Sequence, residues 1–138
     1  MTDLYDNHNH SQFAFDGGRT SVGKTVNSAI GKGLAGVCFT DHCDFYVPKM
    51  KERFEPIVSE VFDVEAQQAE IDRVNGLIAD GAFGKAVPKK FKIFKGIELG
   101  LGEKNHERTR EHLSKFRFDQ IIASVHYLED TDPYFGPY

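Results

Sequence analysis

The segment Leu34-Ala35-Gly36-Val37-Cys38-Phe39-Thr40-Asp41-His42 decides the fold class of this chain. Residues 34–40 form a continuous apolar run that stops at Asp41 and His42. A run of this kind predicts a strand buried on both faces, as found in parallel sheets that helices cover on either side.

Similar patterns on both sides of this strand predict an alternation of strands and helices. Strands are predicted at residues 3–10, 34–40, 91–97 and 119–125, and helices at residues 21–32, 61–80 and 102–116. The first helix has apolar residues three and four apart, the second has apolar residues that mark one side, and the third is charged. The predicted inward positions are Val22, Val26, Ala29 and Ile30, then Phe62, Ala66, Ala69, Val74, Leu77 and Ile78, then Leu113 and Phe116. This βαβαβαβ order predicts the α/β class, with a parallel sheet and right-handed crossovers.

Metal-ligating side chains follow the predicted strands. The segment Asp6-Asn7-His8-Asn9-His10 ends the first strand, and alternation would point Asp6, His8 and His10 to one side. Parallel sheets collect ligands at the carboxyl ends of their strands. Imidazole and carboxylate groups gathered there predict a site with mixed N/O donors, suited to Zn, Mn or Fe.

The other strands contribute His42, Glu98 and His126 at the same rim. The alternative is that these histidines are solvated and have no metal-binding role. Four of the six histidines lie at this one rim, however, and structural histidines would have no reason to lie at strand ends. The remaining two, His106 and His112, fall on the charged helix and are predicted to be solvated.

Composition narrows the class of protein. The 138 residues fit one domain, and the net charge of -4 without a basic stripe argues against a general nucleic-acid binder. With no signal peptide and no transmembrane run, we expect a cytoplasmic protein without membrane contact. Cys38 and Cys43 are then expected to be free thiols, and a two-cysteine zinc site is disfavoured because no second pair exists.

Four motifs in order resemble those of the PHP (polymerase and histidinol phosphatase) phosphoesterases. They are His8-Asn9-His10, Thr40-Asp41-His42, Gly96-Ile97-Glu98 and Ser124-Val125-His126. Phe15-Asp16-Gly17 and Cys38-Phe39-Thr40-Asp41-His42 are most similar to the histidinol-phosphatase branch. The resemblance covers nearly the whole chain and implies the amino-terminal half of a distorted TIM-like barrel.

The resemblance implies a centre of up to three divalent ions (Zn, Mn or Fe) in the complete protein. The positions that match the family's ligands are His8, His10, Asp16, His42, Glu98 and His126. His8 and His10 would hold the first ion, and Glu98 would bridge it to a second that His126 also binds. Asp16 and His42 would hold the third. Asp41 would lie behind the ligands and could orient the ring of His42.

The same resemblance implies hydrolysis of a small phosphate monoester by a metal-bound water. In this branch the substrate is L-histidinol phosphate, which gives histidinol and phosphate in histidine biosynthesis. Substrate contacts would be sought in the long irregular segment 43–59, which carries Phe45, Tyr46, Lys49, Lys51 and Arg53. A solvated basic loop is an equally good interpretation of that segment.

The family pattern continues beyond this sequence with another strand-end His and a late Asp-x-His pair. Residues 1–138 are therefore predicted to be one truncated domain whose carboxyl-terminal half is absent, since full parallel barrels have about 250 residues. Such a chain would leave two open sheet edges, prone to self-association. We expect it to bind metal weakly and to have little activity alone.

Two other functions remain open from the sequence. GRTSVGKT, residues 18–25, matches the P-loop pattern of nucleotide hydrolases, although polar residues separate it from the preceding strand. A non-catalytic interaction module descended from such a barrel is the other. Stabilisation by nucleotide would favour the first, and sensitivity to chelators would favour the phosphatase.

Overall fold

The computed structural model describes residues 3–18, 20–45, 60–84, 87–101 and 106–126. The elements in chain order are β1 (Tyr5–Asn9), α1 (Val22–Gly31), β2 (Gly36–Phe39), β3 (His42–Asp44), β4 (Glu60–Val61), α2 (Val64–Ala79), β5 (Lys92–Gly100), α3 (His106–Lys115) and β6 (Gln120–Ser124). Parallel pairs join β1 to β2, β2 and β3 to β5, and β5 to β6, while β4 pairs antiparallel with β3. The predicted α/β class with parallel βαβ units is confirmed.

Strands β2 and β3 are two parts of one interrupted strand. Gly36 to Phe39 pair with Lys92 to Lys95, and His42 then pairs with Glu98 without any change of register. The backbone N–H of Glu98 donates to the carbonyl of Asp41, which carries the pairing across the interruption. Side chains at every second position, including His42 and Glu98, therefore lie on one face of the sheet.

The opposite face of the sheet packs on helices and forms the core. One cluster joins buried side chains of α1, β2 and α2, among them Val26, Phe39 and Ile71. A second joins Cys43 and Ile97 to the start of α2, with α3 packed against it. Truncating Phe39, which has no exposed surface, would cost about 3–5 kcal/mol because a cavity would remain.

Helix α1 agrees with the sequence pattern in its bounds and in its inner face. Ser21 is the N-cap, and its hydroxyl accepts a hydrogen bond from the Lys24 N–H. The four buried positions are those predicted: Val22, Val26, Ala29 and Ile30. The three-and-four spacing of apolar residues was sufficient here because no polar residue interrupts the buried face.

Helix α2 differs from the prediction in its start and in its inner face. Val61 belongs to β4, and the helix begins after Asp63, whose carboxylate accepts from the Ala66 N–H at 2.9 Å. The buried positions are Val64, Gln67, Ile71 and Val74, so Ala66 and Ala69 do not define the inner face. The inner face was not predicted because it includes Gln67, and a glutamine is ordinarily expected to face solvent.

The predicted irregular segment 43–59 is corrected at its start. Cys43 and Asp44 form part of β3, which pairs with β4. Phe45 packs against the second core cluster, and its ring lies 5.2 Å from that of His112. Residues 46–59, with the predicted substrate contacts Tyr46, Lys49, Lys51 and Arg53, lie outside the described residues.

The two histidines of α3 have different environments. His106 is exposed, as predicted, but His112 is half-buried between Phe45 and Phe116. Burial lowers the pKa of His112. The prediction that His112 is solvated was wrong, because α3 turns it toward the aromatic cluster.

Strands β1 and β6 each pair with a single neighbour among the described residues, so both are edges of this sheet. Tyr5 on β1 is 38% exposed and Ile121 on β6 is 50% exposed. Cys38 and Cys43 are buried free thiols, as expected. Across the described ranges, no helix is both long and apolar enough to span a bilayer.

Candidate metal centre

The end of β1 directs two histidines toward the centre of the site. The pairing of β1 with β2 shifts between Asp6 and Asn9, as at a β-bulge, and alternation cannot be counted through it. The carboxylate of Asp6 accepts a hydrogen bond from the His8 N–H at 3.4 Å and belongs to none of the metal-ligating groups described here. The expectation that Asp6 joins His8 and His10 was therefore wrong.

Glu98 on β5 is the carboxylate on which the other side chains converge. Its Oε2 lies 3.1 Å from Nε2 of His8 and 2.9 Å from Nε2 of His10. Its Oε1 lies 3.1 Å from Nε2 of His126 and accepts from the Ser124 hydroxyl at 2.6 Å. One buried carboxylate thus faces rings from both edges of the sheet.

Asp16 reaches the site from the loop after β1. Its Oδ2 lies 2.8 Å from Nδ1 of His10 and 3.4 Å from Nε2 of His42. The loop passes so close to its own start that a Cβ on Gly17 would overlap the carbonyl of Ser11. Glycine at this position therefore allows the tight turn that brings Asp16 to the histidines.

The donor atoms form three groups of the same composition. Each has two histidines and one carboxylate, and the ligand atoms of a group lie within 4.8 Å of one another. The groups are His8, His10 and Glu98; His10, Asp16 and His42; and His42, Glu98 and His126. The structure brings together all six predicted ligands, and their binding of metal remains a prediction.

Two contacts of the site were not foreseen from the sequence. Both carboxylate oxygens of Asp44 lie 2.9 Å from Nδ1 of His126, and the Ser124 hydroxyl holds Glu98. Asp44 is two residues after His42, and Ser124 is two residues before His126. Strand alternation places such residues beside the predicted ligands, and this signal could have found them.

Asp41 lies on the other side of the strand. It is fully buried and accepts from the N–H and hydroxyl of Ser11 and from the Gln67 amide, the latter two at 2.6 and 2.7 Å. It makes none of its hydrogen bonds with His42, so the prediction that it orients this ring was wrong. Adjacent residues of a strand face opposite sides, and Asp41 faces α2.

The family model for the PHP domain matches residues 6–138. This chain belongs to the PHP domain family. The resemblance of the four motifs to those of the PHP family is therefore confirmed.

Known relatives of this PHP domain include histidinol phosphatases. The histidinol-phosphatase of Lactococcus lactis subsp. lactis (strain IL1403) is 34% identical over 131 residues, which are 95% of this chain and 42% of that protein. A crystal structure of histidinol phosphate phosphatase from the same organism, complexed with zinc, L-histidinol and phosphate, has a TM-score of 0.70 at 28% identity. The match covers 94% of this chain and 43% of that one.

A second crystal structure, of a protein from Listeria monocytogenes, has a TM-score of 0.70 at 16% identity and shows the shared fold. It covers 91% of this chain and 46% of that one. This PHP domain therefore spans less than half the length of the relatives it matches, consistent with part of their barrel.

Charge pairing holds the histidines and carboxylates of this PHP domain together. The hydrogen bond to Glu98 raises the pKa of His10 to about 9, with burial opposing it and Asp16 adding to it. Burial would lower the pKa of His126, but Asp44 and Glu98 raise it to about 10. Burial likewise opposes ionisation of Glu98, yet His10, His126 and Ser124 hold its pKa well below the usual range. A divalent cation would compete with the protons on these rings.

His42 tests whether the residues present fit a metal ion. Its Nδ1 is buried and has no hydrogen-bond partner among the described residues, although Glu98 Oε2 lies 3.5 Å away. A buried ring nitrogen without a partner is costly unless something else occupies it. Together with the mixed N/O donors of each group, this nitrogen fits a divalent ion such as Zn, Mn or Fe.

In the described part of the P-loop pattern, residues 18 and 20–25, backbone N–H groups of the first helical turn have acceptors within the chain. The N–H of Val22 donates to the Gln12 side chain at 2.9 Å, and the N–H of Lys24 donates to Ser21 Oγ at 3.3 Å. These first-turn donors, which would bind phosphate in a P-loop, already have acceptors. The match is explained by an ordinary N-capped helix.

Proposed function

We propose that this PHP domain belongs to a metal-dependent phosphoesterase that hydrolyses L-histidinol phosphate to histidinol and phosphate. The observation that carries the proposal is the position of Glu98, in contact with His8 and His10 on one side and with His126 on the other. The Lactococcus lactis protein named a histidinol-phosphatase supports the substrate, and so does the Lactococcus lactis crystal structure complexed with L-histidinol and phosphate.

The three groups would hold up to three ions, with Zn, Mn and Fe as the candidates. Divalent ions in such a site supply Lewis acidity, which offsets charge on phosphoryl oxygens and makes water more acidic. Because Glu98 belongs to two of the groups, its two oxygens would be shared between neighbouring ions. The imidazole nitrogens would supply two donors to each group without adding negative charge that repels a phosphate.

Ser124 prepares Glu98 for this shared role. Its hydroxyl donates to Oε1 at 2.6 Å and so fixes the plane of the carboxylate. In that orientation Oε2 faces the β1 histidines while Oε1 faces His126. A carboxylate that is already held in this orientation needs less rearrangement when charge develops at the site during the reaction.

The direct test is release of phosphate from L-histidinol phosphate by the metal-free chain reconstituted with Zn, Mn or Fe. The full-length Lactococcus lactis enzyme serves as the positive control. His10→Ala should abolish turnover and lower metal uptake, because His10 belongs to two of the three groups, whereas the exposed His106→Ala should change neither. Equal turnover by wild type and His10→Ala would contradict the proposal.

We also propose that residues 1–138 alone have weaker metal binding and lower turnover than a full-length relative. Support comes from the two sheet edges and from the coverage of 42–46% of the relatives. Metal titration and turnover of this chain would be compared with those of a chain extended to the relatives' length. Sedimentation would show whether the edges pair copies of the chain. Equal turnover of the two lengths would refute this proposal, and inactivity of both would favour a non-catalytic module.

A further inference from the structure

Asp44 is a buried carboxylate with a role that the metal-ligating groups do not explain. It is 3% exposed and lies at the end of β3, on the same side of the strand as His42. It belongs to none of the three groups, although Oδ2 lies 3.7 Å from Nδ1 of His42. A buried carboxylate is costly unless it is hydrogen-bonded, so its partner indicates its role.

That partner is the ring of His126. Both oxygens of Asp44 lie 2.9 Å from Nδ1, while Nε2 on the other side of the ring lies 3.1 Å from Glu98 Oε1. The ring is thus held between two carboxylates, with Nδ1–H donating to Asp44. This arrangement fixes the tautomer and directs Nε2 into the group formed with His42 and Glu98.

Gly100 provides the space for this carboxylate. It ends β5 next to Asp44, and a Cβ at this position would overlap Oδ1 and Cγ of Asp44. A side chain at this position would displace the carboxylate from His126, and glycine has none. Space beside Asp44 and the hydrogen bond from His126 point to the same placement by independent geometry.

We propose that Asp44 is a positioning residue of the metal centre, which holds His126 through Nδ1 so that Nε2 is available as a ligand. Gly100 is the second part of this device, because its lack of a side chain lets Asp44 approach. The inference rests on the proposed metal centre. It concerns the orientation of the ligand His126, and Asp44 is not itself proposed as a ligand.

The experiment compares Asp44→Ala, Asp44→Asn and Gly100→Ala in the full chain, with Asp72→Asn as the matched control. Asp72 is an exposed aspartate paired with Lys95 and belongs to none of the groups. The first measurement is the ring N–H resonance of His126 in the metal-free protein, assigned by its loss in His126→Gln. The second is zinc affinity by competition with a chromophoric chelator, and thermal unfolding shows that each variant folds.

We expect the His126 N–H to exchange slowly with water in the wild type and in Asp72→Asn, and to be lost in Asp44→Ala. Zinc affinity should fall about 10- to 100-fold in Asp44→Ala, as for other residues that orient a ligand. Asp44→Asn keeps an acceptor oxygen and should lose less, which a purely structural role would not predict. Gly100→Ala should resemble Asp44→Ala although it keeps the carboxylate.

Zinc affinity within twofold of wild type in a folded Asp44→Ala chain, with the His126 resonance retained, would overturn the inference, and so would an equal loss of zinc affinity in Asp44→Asn and Asp44→Ala. Failure of Gly100→Ala to fold leaves that decision to the Asp44 variants. The proposed function fails separately, if the zinc-loaded wild type and its full-length extension release no phosphate while the Asp44 series still shifts zinc affinity.

Discussion

Asp41 and Asp44 are two buried carboxylates on one interrupted strand, yet their environments differ. Asp41 is 0% exposed and Asp44 is 3% exposed. Asp41 accepts hydrogen bonds from Ser11 and Gln67, whereas Asp44 accepts from His126. Because an odd number of positions separates them along the strand, one carboxylate faces α2 and the other faces the metal-ligating side chains.

This difference shows that burial of an acid does not by itself mark a functional residue. The partners of Asp41 do not titrate and hold the loop after β1 against α2. The partner of Asp44 titrates and is a candidate ligand. The chemistry of the hydrogen-bond partner therefore separates the scaffold from the site.

The largest effect is expected at Glu98, a buried carboxylate that belongs to two of the metal-ligating groups. Glu98→Gln keeps the shape but removes the charge that His10 and His126 pair with. Because a lost metal ligand costs several kcal/mol of transition-state stabilisation, turnover should fall about 1,000-fold. Elemental analysis and phosphate release would measure it, and a variant that retains full metal content and rate would place Glu98 with the scaffold.

Asp41→Ala should act on stability. It leaves the Ser11 hydroxyl and the Gln67 amide without an acceptor in the interior, which should lower the free energy of unfolding by about 3 kcal/mol. Urea denaturation measures this, and zinc affinity of the folded fraction should change less than tenfold. A loss of zinc binding with unchanged stability would remove the contrast with Asp44.

The metal-free chain should lose stability as the pH rises above neutral. His10 has an ordinary pKa of 6.5 and a folded pKa of about 9, so its contribution is complete below pH 6.5 and is lost as the pH rises through about 9. His126 behaves in the same way, with a folded pKa of about 10. Between pH 6.5 and 9 the folded chain binds up to about two more protons than the unfolded chain, so roughly 2–3 kcal/mol should be lost per pH unit.

Unfolding of the metal-free chain at a series of pH values would measure this slope. Asp44→Asn should make it shallower, because the pairing that raises the pKa of His126 is weakened, and Asp41→Asn should leave it unchanged. A flat profile for the wild type would show that the histidines do not gain protons on folding.

The smallest effect is expected at Asp6, which the sequence pattern assigned to the ligand face. Asp6→Ala should change zinc affinity less than threefold, because Asp6 belongs to none of the groups. The same chelator competition measures it, and its loss is expected to cost only a few tenths of a kcal/mol of stability, as at other surface positions. A tenfold or larger loss of zinc affinity would mean that the bulge in β1 does not exclude Asp6.

The fold could be predicted where apolar periodicity was clean. Residues of β2 and the inner face of α1 were found because burial and hydrophobicity coincide there. The inner face of α2 was missed because Gln67 is buried for its hydrogen bond with Asp41. Strand β3 was missed because its three residues, His42 to Asp44, include two polar side chains that pack inward.

The site could be predicted as a set of residues more easily than as a set of contacts. Strand ends and the family motifs placed His8, His10, His42, Glu98 and His126 at one rim. Alternation counted through residues 6–10 placed Asp6 wrongly because a bulge is not visible in this pattern. Asp44 was missed because it has no motif of its own and its partner lies 82 residues away in the chain.

The unbroken register of β2 and β3 beside β5 limits how this chain can change. A residue inserted or deleted at Thr40 or Asp41 would exchange the two faces of β3. His42 and Asp44 would then enter the hydrophobic core beneath the helices, and Cys43 would take their place. A change of one residue in length is therefore incompatible with this junction, because it would exchange the two faces of β3.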